Sequence, residues 1–127
     1  MVDLPEQAVA FLKAHGYKDV YLKRLDSMTG REGIIIRRLP STVQGRSYSG
    51  ARTLHYLYQV IVRSRSEREA LEKAEELANL LDLAPLQSKN GSFALVQQEI
   101  YTPPQELTLS ESGFYATEFR VRAEIIL

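Results

Sequence analysis

The final segment of the chain, residues 115–127, has the strictest pattern in the sequence. Apolar or aromatic residues occupy one set of alternate positions: Tyr115, Phe119, Val121, Ala123, Ile125 and Leu127. The set between them is charged: Glu118, Arg120, Arg122 and Glu124. Because successive side chains of a strand point to opposite faces of a sheet, we predict a strand with one buried face. Its other face is expected to meet water or a partner.

A long strand followed directly by a capped helix is predicted in the middle of the chain. Residues 52–64 carry apolar side chains on both faces, which indicates a central strand of a sheet. Ser66 and Glu69 have the spacing of a capping box, in which each side chain satisfies a backbone N–H group. An apolar stripe then follows at helical spacing, formed by Leu71, Ala74, Leu77, Ala78 and Leu81. We therefore predict a helix from Ser66 to about Leu81.

The first third of the chain contains a helix and two shorter strands. Proline and glutamate near its start and glycine after its end predict a helix over 4–15. Residues 20–25 and 33–39 are typical of strands, and the turn signal over 26–30 favours a hairpin between them. Residues 40–51 are polar, and we predict a long loop there.

A further strand is predicted over 93–101, ahead of Pro103 and Pro104, which cannot continue a central ladder because proline donates no hydrogen bond. The resulting order is α-β-β-β-α-β-β. This order favours an α+β fold, with an antiparallel or mixed sheet and two helices packed on it. A chain of 127 residues fits one domain, spanning residues 1–127.

Composition limits the chemistry that the chain can perform. It has no cysteine and two histidines, and its 16 basic and 16 acidic residues give a formal net charge of zero. The sequence has no metal-ligand spacing, no nucleophile elbow and no phosphate-binding loop. We therefore expect no catalytic, cofactor-binding or metal-binding residues. The apolar runs are far shorter than the ~20 residues that cross a bilayer, so we expect no membrane partner.

One local charge bias stands out between Arg37 and Arg65, where six arginines occur without any acidic residue. We identify Arg46 and Tyr48 of the predicted loop, together with Arg52 directly after it, as candidate partner contacts. The arginines and tyrosines of 37–65 are also compatible with a small nucleic-acid-binding module, although zero net charge counts against it. A third alternative is that the arginines pair with carboxylates elsewhere in the chain.

The charged side of the last strand is the second candidate surface. Its residues Glu118, Arg120, Arg122 and Glu124 are candidates for an interface with a neighbouring subunit. The simpler alternative is a solvated sheet face.

Several segments together resemble a known family. They are the run Tyr58–Ser64 leading into the capped helix, the run Gln98–Pro104, and Glu111–Tyr115 ahead of the alternating strand. This pattern resembles the minor capsid proteins of tailed phages and prophages that are similar to tail terminator (tail completion) proteins. The resemblance covers about residues 52–127, whereas the first third matches in element order only.

The resemblance implies a structural virion protein without catalytic residues, made in the bacterial cytoplasm. It implies a homo-oligomeric ring, often a hexamer, at the head-proximal end of the tail tube. There the ring would stop tube polymerisation and help join the tail to the head. The expected partners are further copies of the chain, tail-tube proteins and head-completion proteins. A ring subunit needs two different surfaces, because head-to-tail contacts close a cycle.

Overall fold

The computed structural model of the protein describes residues 2–22, 32–40, 42–46, 52–107 and 113–127. Within these residues the elements follow in the order α1 (Leu4–Ala14), β1 (Val20–Tyr21), β2 (Gly33–Arg38), β3 (Thr42–Arg46), β4 (Arg52–Ser64), α2 (Glu67–Leu81), β5 (Ala94–Leu107) and β6 (Tyr115–Ile126). The turn signal over 26–30 lies outside the described residues.

All of the strands belong to one mixed sheet. Its main path runs β1-β2-β4-β6-β5, and β3 pairs with β4 off this path. The predicted α+β class is therefore confirmed, and β4 is the central strand that its two-sided apolar pattern indicated. Strand β6, last in the chain, lies between β4 and β5, so the β4–β6 ladder joins residues that are distant in sequence.

The hairpin predicted from 20–25 and 33–39 is wrong. Strand β1 is only two residues long and runs parallel to β2, with Val20 opposite Ile34 and Tyr21 opposite Ile35. A parallel pair requires the connecting chain to return to the starting end of the first strand before the second begins. The turn signal over 26–30 is typical of a tight antiparallel connection, and for this reason the sequence predicted a hairpin.

The loop predicted over 40–51 contains a strand. Strand β3 pairs antiparallel with the first residues of β4, and Thr42 lies opposite His55. The register shifts between Val43 and Gly45, which is a bulge. A short polar strand with a glycine carries little alternation, so its sequence is typical of a loop.

Strand β5 continues beyond residue 101, where the sequence predicted that it would end ahead of the two prolines. It extends to Leu107, through Pro103 and Pro104, although the register with β6 shifts between Ile100 and Thr102 and again before Gln105. This is possible because β5 is the outer strand, where the missing N–H groups of proline leave no neighbour unpaired.

Both helices pack on the same face of the sheet. The main core joins Leu4, Ala8 and Leu12 of α1 with Ala70, Ala74, Leu77 and Leu81 of α2. The sheet contributes alternate residues, among them Ile34, Ile36, Tyr58, Val60, Val62, Phe119, Val121, Ala123 and Ile125. The predicted buried face of the last strand is therefore confirmed, except that its end residues Tyr115 and Leu127 are 43% and 46% exposed.

Helix α2 begins with the predicted cap. The Ser66 hydroxyl accepts a hydrogen bond from the Glu69 N–H group at 3.3 Å, while the Ser66 N–H group donates to the Ser64 hydroxyl at 3.1 Å instead of to Glu69. Leu71, predicted in the apolar stripe, is 42% exposed, and Ala70 takes the buried position. Neither helix in the described part of the chain combines the length and apolarity that crossing a membrane requires.

The start of α1 is tied to a loop near β5. Asp3 is 9% exposed, and its carboxylate accepts no capping bond from a backbone N–H group of α1, although the Gln7 side chain donates to it at 3.1 Å. It accepts hydrogen bonds from the Ser88 and Ser92 hydroxyls at 2.7 and 3.1 Å, and from the Lys89 N–H group at 2.9 Å. Desolvation opposes ionisation, but these bonds and one from the Asn90 N–H group outweigh it and lower the pKa of Asp3 to about 2.

Candidate assembly surface on the sheet

The side of the sheet away from α1 and α2 is called the helix-free face here, and it carries Ile35, Ile61 and Glu118. These three residues alternate with core residues along β2, β4 and β6. Ile35 and Ile61 are fully buried and form a second, small apolar cluster with Ala116. Tyr21 and Leu107 pack against this cluster. The helix-free face is therefore partly covered rather than fully solvated.

A hydrogen-bond network centred on Glu118 crosses this face. Gln59 donates its amide to Glu118 Oε2 at 2.8 Å, and Arg120 Nε donates to Glu118 Oε1 at 3.1 Å. Gln105 donates to the same Oε1 atom at 3.4 Å. Arg37 Nε in turn donates to Gln59 Oε1 at 2.5 Å. One polar network thus joins β2, β4, β6 and β5.

Glu118 is 3% exposed and Gln59 is 2% exposed, so the network lies largely out of water. Burying a carboxylate costs several kcal/mol unless hydrogen bonds and an opposite charge compensate it. Both are present here, and within the described residues no buried side-chain polar atom lacks a hydrogen-bond partner. Glu118 is therefore not a freely accessible contact residue. Its carboxylate instead fixes the position of the Arg120 side chain through a hydrogen bond.

The other charges of the last strand are more accessible. The side chain of Arg120 is 41% exposed. Arg122 is 36% exposed, forms an ion pair with Glu99 of β5, and lies 5.2 Å from the ring centroid of Tyr101. Glu124 occupies the register position between His55 and Gln97. On this face Arg122 is thus paired with a carboxylate of the neighbouring strand β5, and Arg120 with Glu118 of its own strand.

The arginine-rich candidates lie at one end of the same sheet. Arg46 and Arg52 are register partners in the last pair of the β3–β4 ladder. Tyr48 lies outside the described residues. Glu124 lies opposite His55, three residues along β4 from Arg52, whereas Glu118 lies opposite Ile61, roughly 20 Å further along β4 at ~3.3 Å per residue. The candidates are therefore spread along the sheet and form no compact site.

Besides Arg37, two further arginines of the biased stretch make contacts within the chain. The Arg63 guanidinium stacks on Phe114 at 4.2 Å from the ring centroid, and Arg65 lies 5.3 Å from the same ring. Glu32 accepts hydrogen bonds from the Arg65 N–H group and the Ser64 hydroxyl, and these bonds hold its pKa below the usual value. The sequence did not indicate this cluster, because Phe114 lies far along the chain.

The two tyrosines of the stretch that the structure describes, Tyr56 and Tyr58, are buried in the core. Tyr56 is 4% exposed, and Tyr58 is fully buried with its hydroxyl donating to Gln98 Oε1 at 3.1 Å. Burial raises the pKa of Tyr58 above its usual range. Neither ring is available to stack on a base, which weakens the nucleic-acid alternative.

Among the residues that the structure describes, no group of three or more histidine, aspartate or glutamate side chains is arranged to hold a metal ion. His15 instead lies at the end of α1, where its Nδ1 atom is 2.8 Å from the Phe11 carbonyl oxygen. The polar groups of the sheet serve mutual pairing and present charge at a surface.

Comparison with known proteins agrees with this description. A chain from a solved structure described as "Virion of native gene transfer agent (GTA) particle" has a TM-score of 0.57 and 15% sequence identity, covering 94% of this chain and 84% of that chain. At this identity the likeness concerns the fold alone. No curated protein matches the sequence. The family profile described as "Bacteriophage tail terminator protein" matches residues 9–125. This match confirms the resemblance inferred from the sequence: the chain belongs to the bacteriophage tail terminator family, whose members are structural virion proteins and not a class of enzymes.

Proposed function

We propose that this protein is the ring-forming subunit that caps the tail tube at its head-proximal end and supports the joining of tail to head. The family match over residues 9–125 carries the proposal. The shared fold with a chain of a virion particle supports it. The subunit acts by occupying the end of the tube, so its work is done by surfaces and not by a reaction centre.

The proposed ring is closed by head-to-tail contacts, which need two different surfaces on each subunit. We assign one to the end of the β3–β4 ladder, with Arg46, Tyr48 and Arg52. The other is the accessible part of the helix-free face, where Arg120, Arg122 and Glu124 present charge. Glu118 contributes indirectly, because its buried carboxylate fixes Arg120. Zero net charge favours self-association, since copies of the chain do not repel one another as whole molecules.

The capping role is tested with tail-tube protein from the same particle. Tubes are assembled with and without the purified chain, and their lengths are measured by negative-stain electron microscopy. We expect added protein to stop elongation and to appear as a ring at one tube end. Light scattering after size exclusion gives the number of subunits in that ring. Tubes of unchanged length, with no bound protein at either end, contradict the proposal.

The assigned surface is tested by reversing charge. Replacing Arg46→Glu together with Arg52→Glu is expected to abolish tube capping, while the far-ultraviolet circular dichroism spectrum stays unchanged. The matched control replaces Lys13→Glu and Arg68→Glu, two exposed residues on the helices, so that the net charge changes equally. If both variants lose capping alike, the effect is one of net charge and the surface assignment fails. Salt-sensitive DNA binding that depends on Arg46 and Arg52, in a chain that does not cap tubes, favours the nucleic-acid alternative.

A further inference from the structure

Strand β5 is the outer strand at one side of the sheet, and in the described part of the chain it pairs along β6 only. It spans Ala94–Leu107, which is long for an edge strand. An edge strand presents unpaired backbone N–H and C=O groups, and these can template pairing with a strand of another chain. A protein that acts among many copies of itself is especially exposed to this hazard.

The residues that follow α2 cover part of this edge. The Leu83 N–H group donates to the Gln98 carbonyl oxygen at 3.0 Å, and the Ile100 N–H group donates to Asp82 Oδ1 at 3.2 Å. Both β5 groups point away from β6, because alternate residues of an antiparallel ladder bond on opposite sides. We call Asp82 and Leu83 the strap. The strap thus occupies one donor and one acceptor on the outer side of β5.

The strap has an unusual backbone. Leu83 has a φ of 59°, in the left-handed region that side chains with a Cβ atom rarely adopt, and its side chain is 68% exposed. Hydrogen bonds fix the backbone on both sides of Leu83. The Leu81 carbonyl oxygen accepts from Gln98 Nε2 at 2.7 Å and from the Ala84 N–H group at 3.1 Å. The fold therefore accepts backbone strain at a position where the result is a covered strand edge.

The remainder of the edge is protected by other means. The ladder with β6 shifts register after Leu95, after Ile100 and after Thr102, and such irregularities disrupt pairing with a new strand. Pro103 and Pro104 offer no N–H groups. The strap covers the regular stretch between these irregularities, which is the part of β5 best able to accept another strand.

We propose that the strap is an edge guard that prevents a second copy of this chain from adding a strand to β5. Copies then meet in the particle through side-chain surfaces and not through a shared sheet. The second statement rests on the proposed function, whereas the guard is a property of the isolated chain. At the opposite end of the main sheet path, β1 is only two residues long and itself offers little backbone to pair with.

The guard is tested by opening the strap in the isolated chain, without any tail protein. The variant Asp82→Ala with Leu83→Pro removes the acceptor and the N–H donor, and proline cannot adopt a positive φ. The control Leu83→Gly keeps the N–H group and suits the left-handed backbone. We expect the Ile100 amide of the double variant to exchange with deuterium at least ~10-fold faster, and size exclusion with light scattering to show concentration-dependent association beyond that of the wild type. The Leu83→Gly variant is expected to match the wild type in both measurements.

A folded double variant whose association equals that of the wild type, at every concentration up to the millimolar range, overturns the proposal. If the double variant fails to fold, Asp82→Ala alone decides in the same way: faster Ile100 exchange with added association supports the guard, and unchanged association overturns it. Failure of the wild type to cap tubes leaves this result untouched. The two proposals therefore fail independently.

Discussion

The two faces of the sheet are both buried near their centres, yet by different means. On the helix-covered face, Phe119 and its neighbours are excluded from water by two helices. On the helix-free face, Glu118, which precedes Phe119 in sequence, is also excluded from water. There the buried carboxylate is compensated by hydrogen bonds from the Gln59 and Arg120 side chains. Alternation along β6 separates these two environments. The alternation alone does not show which face is exposed. Substitutions on each face measure how much that face contributes to the free energy of unfolding.

The largest effect is expected on the helix-covered face. Phe119 is fully buried, and Phe119→Ala removes most of a large side chain from a closely packed core. We expect the free energy of unfolding to fall by about 3–5 kcal/mol, measured by urea denaturation followed by circular dichroism. A loss below about 1 kcal/mol contradicts this expectation and places the stabilising core elsewhere.

The helix-free face is tested at Glu118. Glu118→Ala leaves the amide of Gln59 and the guanidinium of Arg120 without their shared acceptor, at an expected cost of about 2–3 kcal/mol. Glu99→Ala on the same face is the matched control, because its ion pair with Arg122 is partly exposed and is expected to cost less than about 1 kcal/mol. Equal losses in the two variants in urea denaturation rule out a special role for the buried network.

The hydrogen bonds that the Asp3 carboxylate accepts at the start of α1 are tested by varying the pH. The folded pKa of Asp3 is about 2, below its usual value of 3.8, so its carboxylate stabilises the fold above about pH 4, and this contribution is lost as the pH falls towards 2. Asp3→Asn is expected to lower stability by about 1–2 kcal/mol at pH 7. Denaturation midpoints at several pH values should show the two proteins converging between pH 4 and pH 2. A constant difference across this range contradicts the assigned role.

The smallest effect is expected on the outer side of α2. Arg68 and Glu72 form an ion pair at 2.8 Å, but their side chains are 86% and 60% exposed. Water and salt screen such a pair, so Arg68→Ala is expected to leave the urea midpoint unchanged within error. A clear shift of the midpoint shows that charge on the helix surface matters as much as charge inside the sheet.

Much of the fold follows from sequence periodicity. The 52–64 strand, the helix after Ser66 and the alternating final strand were all predicted, because each has a strong local pattern. The parallel pairing of β1 with β2 was not predictable in this way, since two residues carry no periodicity. Strand β3 was missed for a similar reason. Strand β5 can pass through Pro103 and Pro104 because it lies at the sheet edge. Its extent was missed because no local sequence pattern predicts the order of strands in the sheet.

The candidate surface was predictable in residue type but not in environment. Glu118 and Arg120 were correctly placed on the face opposite Phe119, but the burial of Glu118 depends on Gln59 and Gln105 from other strands. The contribution of Arg46, Tyr48 and Arg52 to an interface stays a prediction. Such pairings arise from register across distant segments, and a single sequence gives no means of assigning that register.

The central place of β6 has a consequence for how the chain folds. Strand β5 is synthesised before β6, yet its neighbour in the sheet is β6, and β4 uses the same strand along nearly its whole length. Nascent chains that stop short of residue 115 therefore have two long strands without a common partner. Closing this sheet requires contacts across large sequence separations, which slows folding and prolongs the lifetime of aggregation-prone intermediates. The rate-limiting event is expected to be the pairing of β6 with β4, because β5 and β6 are neighbours in sequence and can pair locally.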